Sequence, residues 1–337
     1  MQTRWYKLVI SAVLCGTLIS PQLGQANTTQ RQDVKDFIDR LASEHNFRYD
    51  DLRQLFDQIE IRPEIIEAMN RPYEGKPWFQ YRPIFVTQAR ISEGATFLRE
   101  NYKTLKQAEQ KYGVPAEIIT AILGVETRYG RYRGKYRVVD ALATLGFDYP
   151  RRSRFFLKEL EAFLLLSREE GFDPLTISSS YAGAMGKPQF MPSSYRMYAV
   201  DFDGDGRRDL LDNSADAIGS IANYLSRHGW QRGQPITVKT NPAAQAPQKM
   251  GKLKKPSKPV QHWQDKGYLP AETTAQQLKA ELIVLENQQG PEYWLGLQNF
   301  YAITRYNHSA LYAMAVFQLS QGIKQQYQAS QSQVQAE

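Results

Sequence analysis

Apolar residues recur at helical spacing over most of the chain, and this periodicity constrains the fold more than any other feature. From Asp33 to about Tyr112 the pattern predicts helices. Val34, Phe37, Ile38 and Leu41 mark one apolar face; Leu52, Leu55, Phe56 and Ile59 mark another. Ile91, Ala95, Leu98, Tyr102 and Leu105 mark a third, long enough for one extended helix ended by Gly113. Val114-Pro115 restarts the chain, and a helix from Pro115 to Tyr129 carries Ile118, Ile119, Ile122, Leu123 and Val125 up to a stop at Gly130. Ser153 is placed to cap a further helix through Phe156, Leu160, Phe163 and Leu164. Residues 172–195 read as a loop rich in small residues, and 214–228 as a helix ending at Gly229. A composition shift follows, with no acidic residue from Arg232 to Gln264 and lysines at 249, 252, 254, 255 and 258. Ile236 to Val238 and Leu282 to Leu285 read as strands, with a turn from Asn287 to Gly290. A last helix follows Asn307, and the Gln/Ser-rich end from Gln325 to Glu337 is expected to fray.

The N-terminus reads as an export signal. Arg4 and Lys7 precede a twelve-residue apolar run from Leu8 to Ile19, too short to span a bilayer. Gly24-Gln25-Ala26 supplies a small-residue cleavage site, so 1–26 is expected to be a signal peptide and the mature protein periplasmic. Cys15 is the single cysteine. Lipid anchoring through it is the less favoured alternative, because Leu14 stands where a small residue is expected. One cysteine excludes a disulfide framework and a Cys-based zinc site. Four histidines without a His-Glu-x-x-His spacing leave little for a catalytic zinc. The net charge of +7 falls to +5 without the export segment, and no Lys/Arg arm for nucleic acid occurs.

Four motifs carry chemistry. Residues 201–212 place Asp201, Asp203 and Asp205 at positions one, three and five of an EF-hand-like calcium loop. Gly206 stands at the sharp turn, the Arg207 carbonyl at seven and Asp209 at nine. Position twelve is Asp212 rather than Glu, and Asp216 is a rival closing ligand. The expected Ca²⁺ role is structural, with no organic cofactor. Glu126 ends the apolar run 118–125; beside an apolar helix face a carboxyl loses hydration, which favours the protonated form a glycosidase acid needs. Taken alone, a Glu near a helix end is usually a surface residue, and Arg128 is a candidate ion-pair partner for it. No second carboxylate occupies an equally apolar setting. The segment Ser180 to Ser194 combines small residues with Gln189, whose amide can meet sugar hydroxyl or acetamido groups. Tyr306, Asn307 and Tyr312 cluster at a predicted helix start, as a cap or as a sugar wall.

Taken in order, Glu126-Thr-Arg-Tyr-Gly, Ala141 to Arg152, Ala182-Gly-Ala-Met-Gly, Gln189-Phe-Met-Pro-Ser-Ser194, the acidic loop, Asp216 to Tyr224 and Ile303 to Ser309 resemble the lytic murein transglycosylase B family. The resemblance covers roughly residues 33–325. It implies a mainly α (α+β) fold: a lysozyme-like helical core with an N-terminal helical domain and a small β domain. The expected division is 27–112 for the N-terminal domain, 113–230 for the core with its loop 201–216, 231–295 for the β-rich domain, and 296–337 returning to the core. The implied activity is cleavage of the MurNAc–GlcNAc β-1,4 bond of peptidoglycan, with Glu126 as the single acid and then base, giving a 1,6-anhydro product. By position Ser180, Gln189, Tyr224, Tyr306, Asn307 and Tyr312 match cleft residues, and Tyr81, Arg151 and Arg152 match more loosely. Phe155 and Lys187-Pro188 depart from the family pattern. The family's longer loop favours Asp216 over Asp212 as the final ligand. Glycan strands are the implied partner, with other cell-wall enzymes as further candidates and a monomer as the expected state. A hydrolytic muramidase and a non-catalytic peptidoglycan-binding protein are the alternatives.

Overall fold

A computed structural model describes residues 28–70 and 75–336. The predicted export segment with Cys15 lies outside the described residues. The chain divides into two compact units at Asp57, inside the stretch expected as one N-terminal helical domain.

The smaller unit holds a short 3₁₀ turn, α1 (Gln32–His45) and α2 (Tyr49–Phe56). Val34, Phe37, Ile38 and Leu41 are buried on α1, as their spacing requires, and Phe37 meets Phe56 with ring centres 5.9 Å apart. Asn46 in the left-handed region ends α1.

In the larger unit, α3 (Pro63–Met69), α4 (Trp78–Phe85), α5 (Gln88–Glu100) and α6 (Tyr102–Tyr112) lead to α7 (Ala116–Thr127). The single long helix expected across 91–112 is two helices. Asn101 leaves helical geometry (φ −107°, ψ 19°), and its side-chain amide donates to the Phe97 carbonyl at 3.0 Å, the local competition by which Asn breaks helices. Tyr102 is consequently exposed. Helix α7 is buried on all sides from Ile118 to Val125, and α5, α6, α11 and α14 pack around it. A helix apolar all round is stable only as such a central rod.

The chain continues through β1 (Tyr136–Arg137), α8 (Val138–Asp148), α9 (Ser153–Glu170), β2 (Ser178–Ser179), α10 (Pro192–Tyr198) and α11 (Ser214–Arg227). Ser153 is not the cap of α9. It is the first helical residue, and its hydroxyl donates to the Gly146 carbonyl at 2.5 Å, fastening α9 to α8. The small-residue segment also holds more structure than a loop: β2 pairs with β1, Tyr136 opposite Ser179, and α10 begins at Pro192.

Next come β3 (Thr237–Thr240), β4 (Lys258–Pro259), α12 (Val260–Asp265), β5 (Lys279–Leu285) and β6 (Glu292–Gly296). They form an antiparallel sheet in the order β3-β6-β5-β4. Strands β5 and β6 are a hairpin around Asn287 to Gly290, with Ile283 opposite Trp294. Val238, Val260, Ala280, Leu295 and Leu297 form its apolar cluster. Strand β6 was not legible, because Glu292-Tyr-Trp-Leu-Gly lacks a clean alternation. Helices α13 (Gln298–Tyr306) and α14 (Ala310–Ala336) close the fold. Instead of fraying at Gln325, α14 stays helical to Ala336, in keeping with the high helix propensity of its Gln and Ala residues. Among the described residues no helix is long and apolar enough to cross a membrane.

Candidate active site

Glu126 is the penultimate residue of α7, partly exposed where its neighbours are buried. The chain leaves the helix through two consecutive left-handed non-glycine residues, Arg128 (φ 49°) and Tyr129 (φ 61°), and then Gly130 (φ 89°). Such residues cost about 1–3 kcal/mol each and persist only where their surroundings hold them. Two devices do so here. The Arg128 guanidinium forks onto Glu93 of α5, at 2.7 Å from Nε and 2.6 Å from Nη2, so this arginine pairs with Glu93 instead of Glu126. The Tyr129 ring lies over two glycines of α5 and α7. A Cβ at Gly94 would stand 2.4 Å from its hydroxyl, and one at Gly124 2.7 Å. That hydroxyl donates to the Arg90 carbonyl at 2.6 Å, and burial pushes it well above the usual tyrosine range.

Tyr312, in the first turn of α14, donates its hydroxyl to Glu126 Oε1 at 2.6 Å. Ser309 holds that turn, accepting from the Tyr312 amide at 3.3 Å. Burial first, and then the negative charge of Glu126, push the Tyr312 hydroxyl far up, so it remains a neutral donor. Tyr306 stacks parallel to Tyr312 at 6.3 Å, and Tyr224 meets Tyr306 edge-on at 5.0 Å. The hydroxyls of this row are spoken for. Tyr306 donates to the Pro188 carbonyl and Tyr224 to the Arg305 carbonyl, each at 2.5 Å. Burial raises the Tyr224 hydroxyl to about 12. The rings therefore offer faces and edges, with their polar ends used to fix the wall.

The small-residue segment brings up the other side. Gln189 is left-handed (φ 52°), its side-chain amide donating to the Gly186 carbonyl at 2.9 Å. Phe190 packs against both Tyr224 and Tyr306. Ser180 Oγ accepts from the amides of Ala182 and Ala184, at 3.3 and 3.1 Å, and so shapes its own loop. Asn307 joins α13 to α14 beside Tyr306. The looser matches are Tyr81, Arg151 and Arg152. Tyr81 is 2% exposed, packs with Trp78 and Phe85, and lies near enough to Tyr312 to act on its hydroxyl electrostatically. Arg151 is exposed before α9, and Arg152 lies over the Phe155 ring at 4.3 Å, its charge reaching His308.

Thr127, Lys187 and His228 fasten these parts together, and sequence reasoning gave none of them a role at the site. Thr127 Oγ1 donates to the Lys187 carbonyl at 2.8 Å and accepts from the Gly130 amide at 3.0 Å. The Lys187 amide donates to the Leu210 carbonyl at 2.8 Å, and its ammonium donates to the Asp212 carbonyl and the Ser214 hydroxyl at 2.8 and 2.7 Å. His228 stacks on Tyr224 at 4.0 Å, and burial lowers its pKa. No sequence signal marks these contacts, which join residues up to 60 positions apart.

The acidic loop lies between α10 and α11. Carboxylate oxygens of Asp201, Asp203 and Asp205 all lie within 4.8 Å of one another. Asp201 also accepts from the amides of Gly204, Asp205 and Gly206, the last at 2.9 Å, which curls the chain around it. Gly204 and Gly206 are left-handed, as this curl demands. The oxygen-only donor set suits a hard cation. The carboxylates of Asp209, Asp212 and Asp216 are not part of this trio. Asp209 accepts from the amides of Leu211 and Asp212, and Asp212 faces Arg133 at 2.5 Å. Asp216 is fully buried and accepts from the backbone amides of Phe202 and Asp209, both at 2.7 Å; burial raises its pKa.

Residues 29–321 match the family model described as the transglycosylase SLT domain. Membrane-bound lytic murein transglycosylase B of Escherichia coli (strain K12) is 43% identical over 301 residues, covering 86% of this chain and 82% of that protein. Among solved structures, soluble lytic transglycosylase SltB1 from Pseudomonas aeruginosa is 45% identical with a TM-score of 0.82, over 87% of this chain and 98% of that one. The Escherichia coli lytic transglycosylase Slt35 in complex with calcium is 43% identical, with a TM-score of 0.82 over 88% and 94%. SltB3 from Pseudomonas aeruginosa, in complex with NAG-anhNAM-pentapeptide, is 31% identical, with a TM-score of 0.76 over 87% and 79%. By this similarity across most of its length, the chain belongs to the transglycosylase SLT domain family.

Proposed function

We infer that the chain is a lytic transglycosylase that cleaves the MurNAc–GlcNAc β-1,4 bond of peptidoglycan, with Glu126 as its one acid and base. The observation that carries this reading is a carboxyl at the end of a buried helix, gripped by the Tyr312 hydroxyl and bordered by a tyrosine row. Protonated Glu126 donates to the glycosidic oxygen as the C1–O bond breaks, and the MurNAc acetamido oxygen closes onto C1. Glu126, now a carboxylate, takes the proton of the C6 hydroxyl, whose oxygen displaces the acetamido group to form the 1,6-anhydro ring. Tyr312 fixes one carboxyl oxygen in both halves. Ser180, Gln189, Asn307, Tyr224 and Tyr306 line the sugar path, and Arg151 and Arg152 stand at its margin. The named activities of the relatives support the same reaction.

The product decides between transglycosylase and muramidase. Digestion of purified sacculi should release ends lighter by one water than hydrolytic reducing ends; products that all carry that water would replace this reading with hydrolysis. For Tyr312→Phe, loss of a hydrogen bond to a charged group should lower kcat roughly 10- to 100-fold, the equivalent of about 1.5–3 kcal/mol, with KM nearly unchanged. Steady-state kinetics on soluble muropeptides checks it.

Asp201, Asp203 and Asp205 would hold a calcium ion, which neutralises their mutual repulsion when bound and acts structurally. A related structure is named as a calcium complex. Calcium about 100-fold above its dissociation constant contributes about 2.7 kcal/mol, a melting shift of roughly 5–10 °C. Thermal melts with calcium and with chelator measure it; identical curves, with no metal bound, would remove the ion from the account. The charged, apolar and small-residue order of residues 4–26 supports export of this activity to the periplasm.

A further inference from the structure

A groove of about 790 Å³ runs along α14 on the side turned away from Glu126. Gln321, in its wall, lies about two and a half turns beyond Tyr312 at 3.6 residues per turn, hence on the opposite face of the helix. None of the residues that gather around Glu126 lines it. The floor is aromatic: Trp294 of β6 and Phe317 of α14 meet edge-on at 6.3 Å, and both are partly exposed. The Trp294 ring is held in place. Its indole N–H donates to Glu292 at 3.3 Å, Glu292 accepts from the Asn287 amide at 2.6 Å, and the Lys239 ammonium lies 5.7 Å from the ring centre.

Above the floor the rim is made of amides. Gln318 accepts from Arg82 at 2.6 Å, and Gln288, Gln321 and Gln325 stand along the edges. A second hollow continues past Ile91 and Gly322 to Gln326 and Ser330. From Phe317 to Ser330 the track follows α14 for about 20 Å at 1.5 Å per residue, the reach of a short oligosaccharide.

This combination selects a class of ligand. Aromatic faces suit the C–H face of a pyranose ring, and amides offer both donors and acceptors for hydroxyl and acetamido groups. Arg82 and Lys239 are balanced in part by Glu292, which disfavours a phosphate polymer. We propose that the groove is a second, non-catalytic binding site for N-acetylated glycan, holding one stretch of strand while another occupies the cleft at Glu126. The proposal rests on the reading of the chain as a peptidoglycan-cleaving enzyme. Its consequence is selective: the site tethers the enzyme to long or insoluble strands and does nothing for a substrate too short to reach it.

Two variants test it. Trp294→Ala removes the floor, and Gln321→Trp fills the groove from an exposed helix position without entering the core. In a Glu126→Gln background, each should weaken retention on purified sacculi about tenfold, the scale of one lost aromatic anchor. With Glu126 present, each should turn over a soluble GlcNAc–MurNAc tetrasaccharide at the wild-type rate, and Gln321→Trp should melt as wild type does. Undiminished retention of Gln321→Trp on sacculi would overturn the proposal. Equal losses on sacculi and on the tetrasaccharide would overturn it as well, because the residues would then act through the cleft. A wild-type protein that gives no anhydro product from the tetrasaccharide would count against the assigned reaction, while the retention assay would still judge the groove.

Discussion

Glu126→Gln is expected to lower turnover on peptidoglycan by about 10²–10⁴-fold, the usual worth of a positioned general acid or base. The amide has nearly the same shape and can still accept from Tyr312, so the wall of the cleft should stay in place. It can neither protonate a leaving oxygen nor take the C6 proton, so both halves of the reaction fail together. Melting should change little, because Glu126 is partly exposed at a helix end and not part of the buried rod of α7. Turnover and thermal unfolding of the same preparation check both parts. Activity near the wild-type level would remove Glu126 from its role, and a collapse of the melting transition would show that it serves the fold instead.

Asp216→Ala is expected to cause the largest loss of stability. The carboxylate is fully buried and accepts the amides of Phe202 and Asp209, which lie at opposite ends of the acidic loop. Alanine leaves both amides without this partner. At about 1–3 kcal/mol for an unsatisfied buried group, two such amides on half-buried residues set an upper bound of about 6 kcal/mol. Relief from burying a charge offsets a part, since burial first, and then the charges of Asp203 and Asp201, raise the Asp216 pKa. Asp216→Asn keeps one acceptor and should lose less. Urea unfolding measures the order: Ala below Asn below wild type. Equal stability of all three would mean that the two amides find other partners at no cost.

The helical core was legible because it rests on local pattern. The apolar run from Ile118 to Val125 has no polar stripe, which left burial on all sides as its stable outcome; the face of α1 follows its spacing, while on α2 only Leu52 and Phe56 are buried and Ile59 lies past the helix end. The break at Asn101 and strand β6 were not legible, because one depends on a single side-chain hydrogen bond and the other on its partners in the sheet. At the candidate site, Glu126, Gln189, Tyr306, Asn307 and Tyr312 stood out as residues, and the resemblance added Ser180, Tyr224, Tyr81, Arg151 and Arg152. Their division of labour was not legible. Tyr81 and Tyr312 are buried supports, and the hydroxyls of Tyr224 and Tyr306 are committed to backbone carbonyls. Arg128 looked like a partner for Glu126, but its left-handed backbone aims it at Glu93. Sequence spacing carries no information about such directions, which arise when segments far apart in the chain meet.

Lys187 gives the site a property that no single hydrogen bond would. Its amide holds Leu210, its carbonyl holds Thr127, and its ammonium holds Asp212 and Ser214. The turn after Glu126 and the far end of the acidic loop are therefore joined through one residue by backbone and side chain at once. Local opening of a native protein proceeds in cooperative blocks bounded by such connections. Here the acid-bearing turn and the loop fall in one block, so a fluctuation that frees the loop also frees the turn, and the amides of both exchange with solvent in a single event.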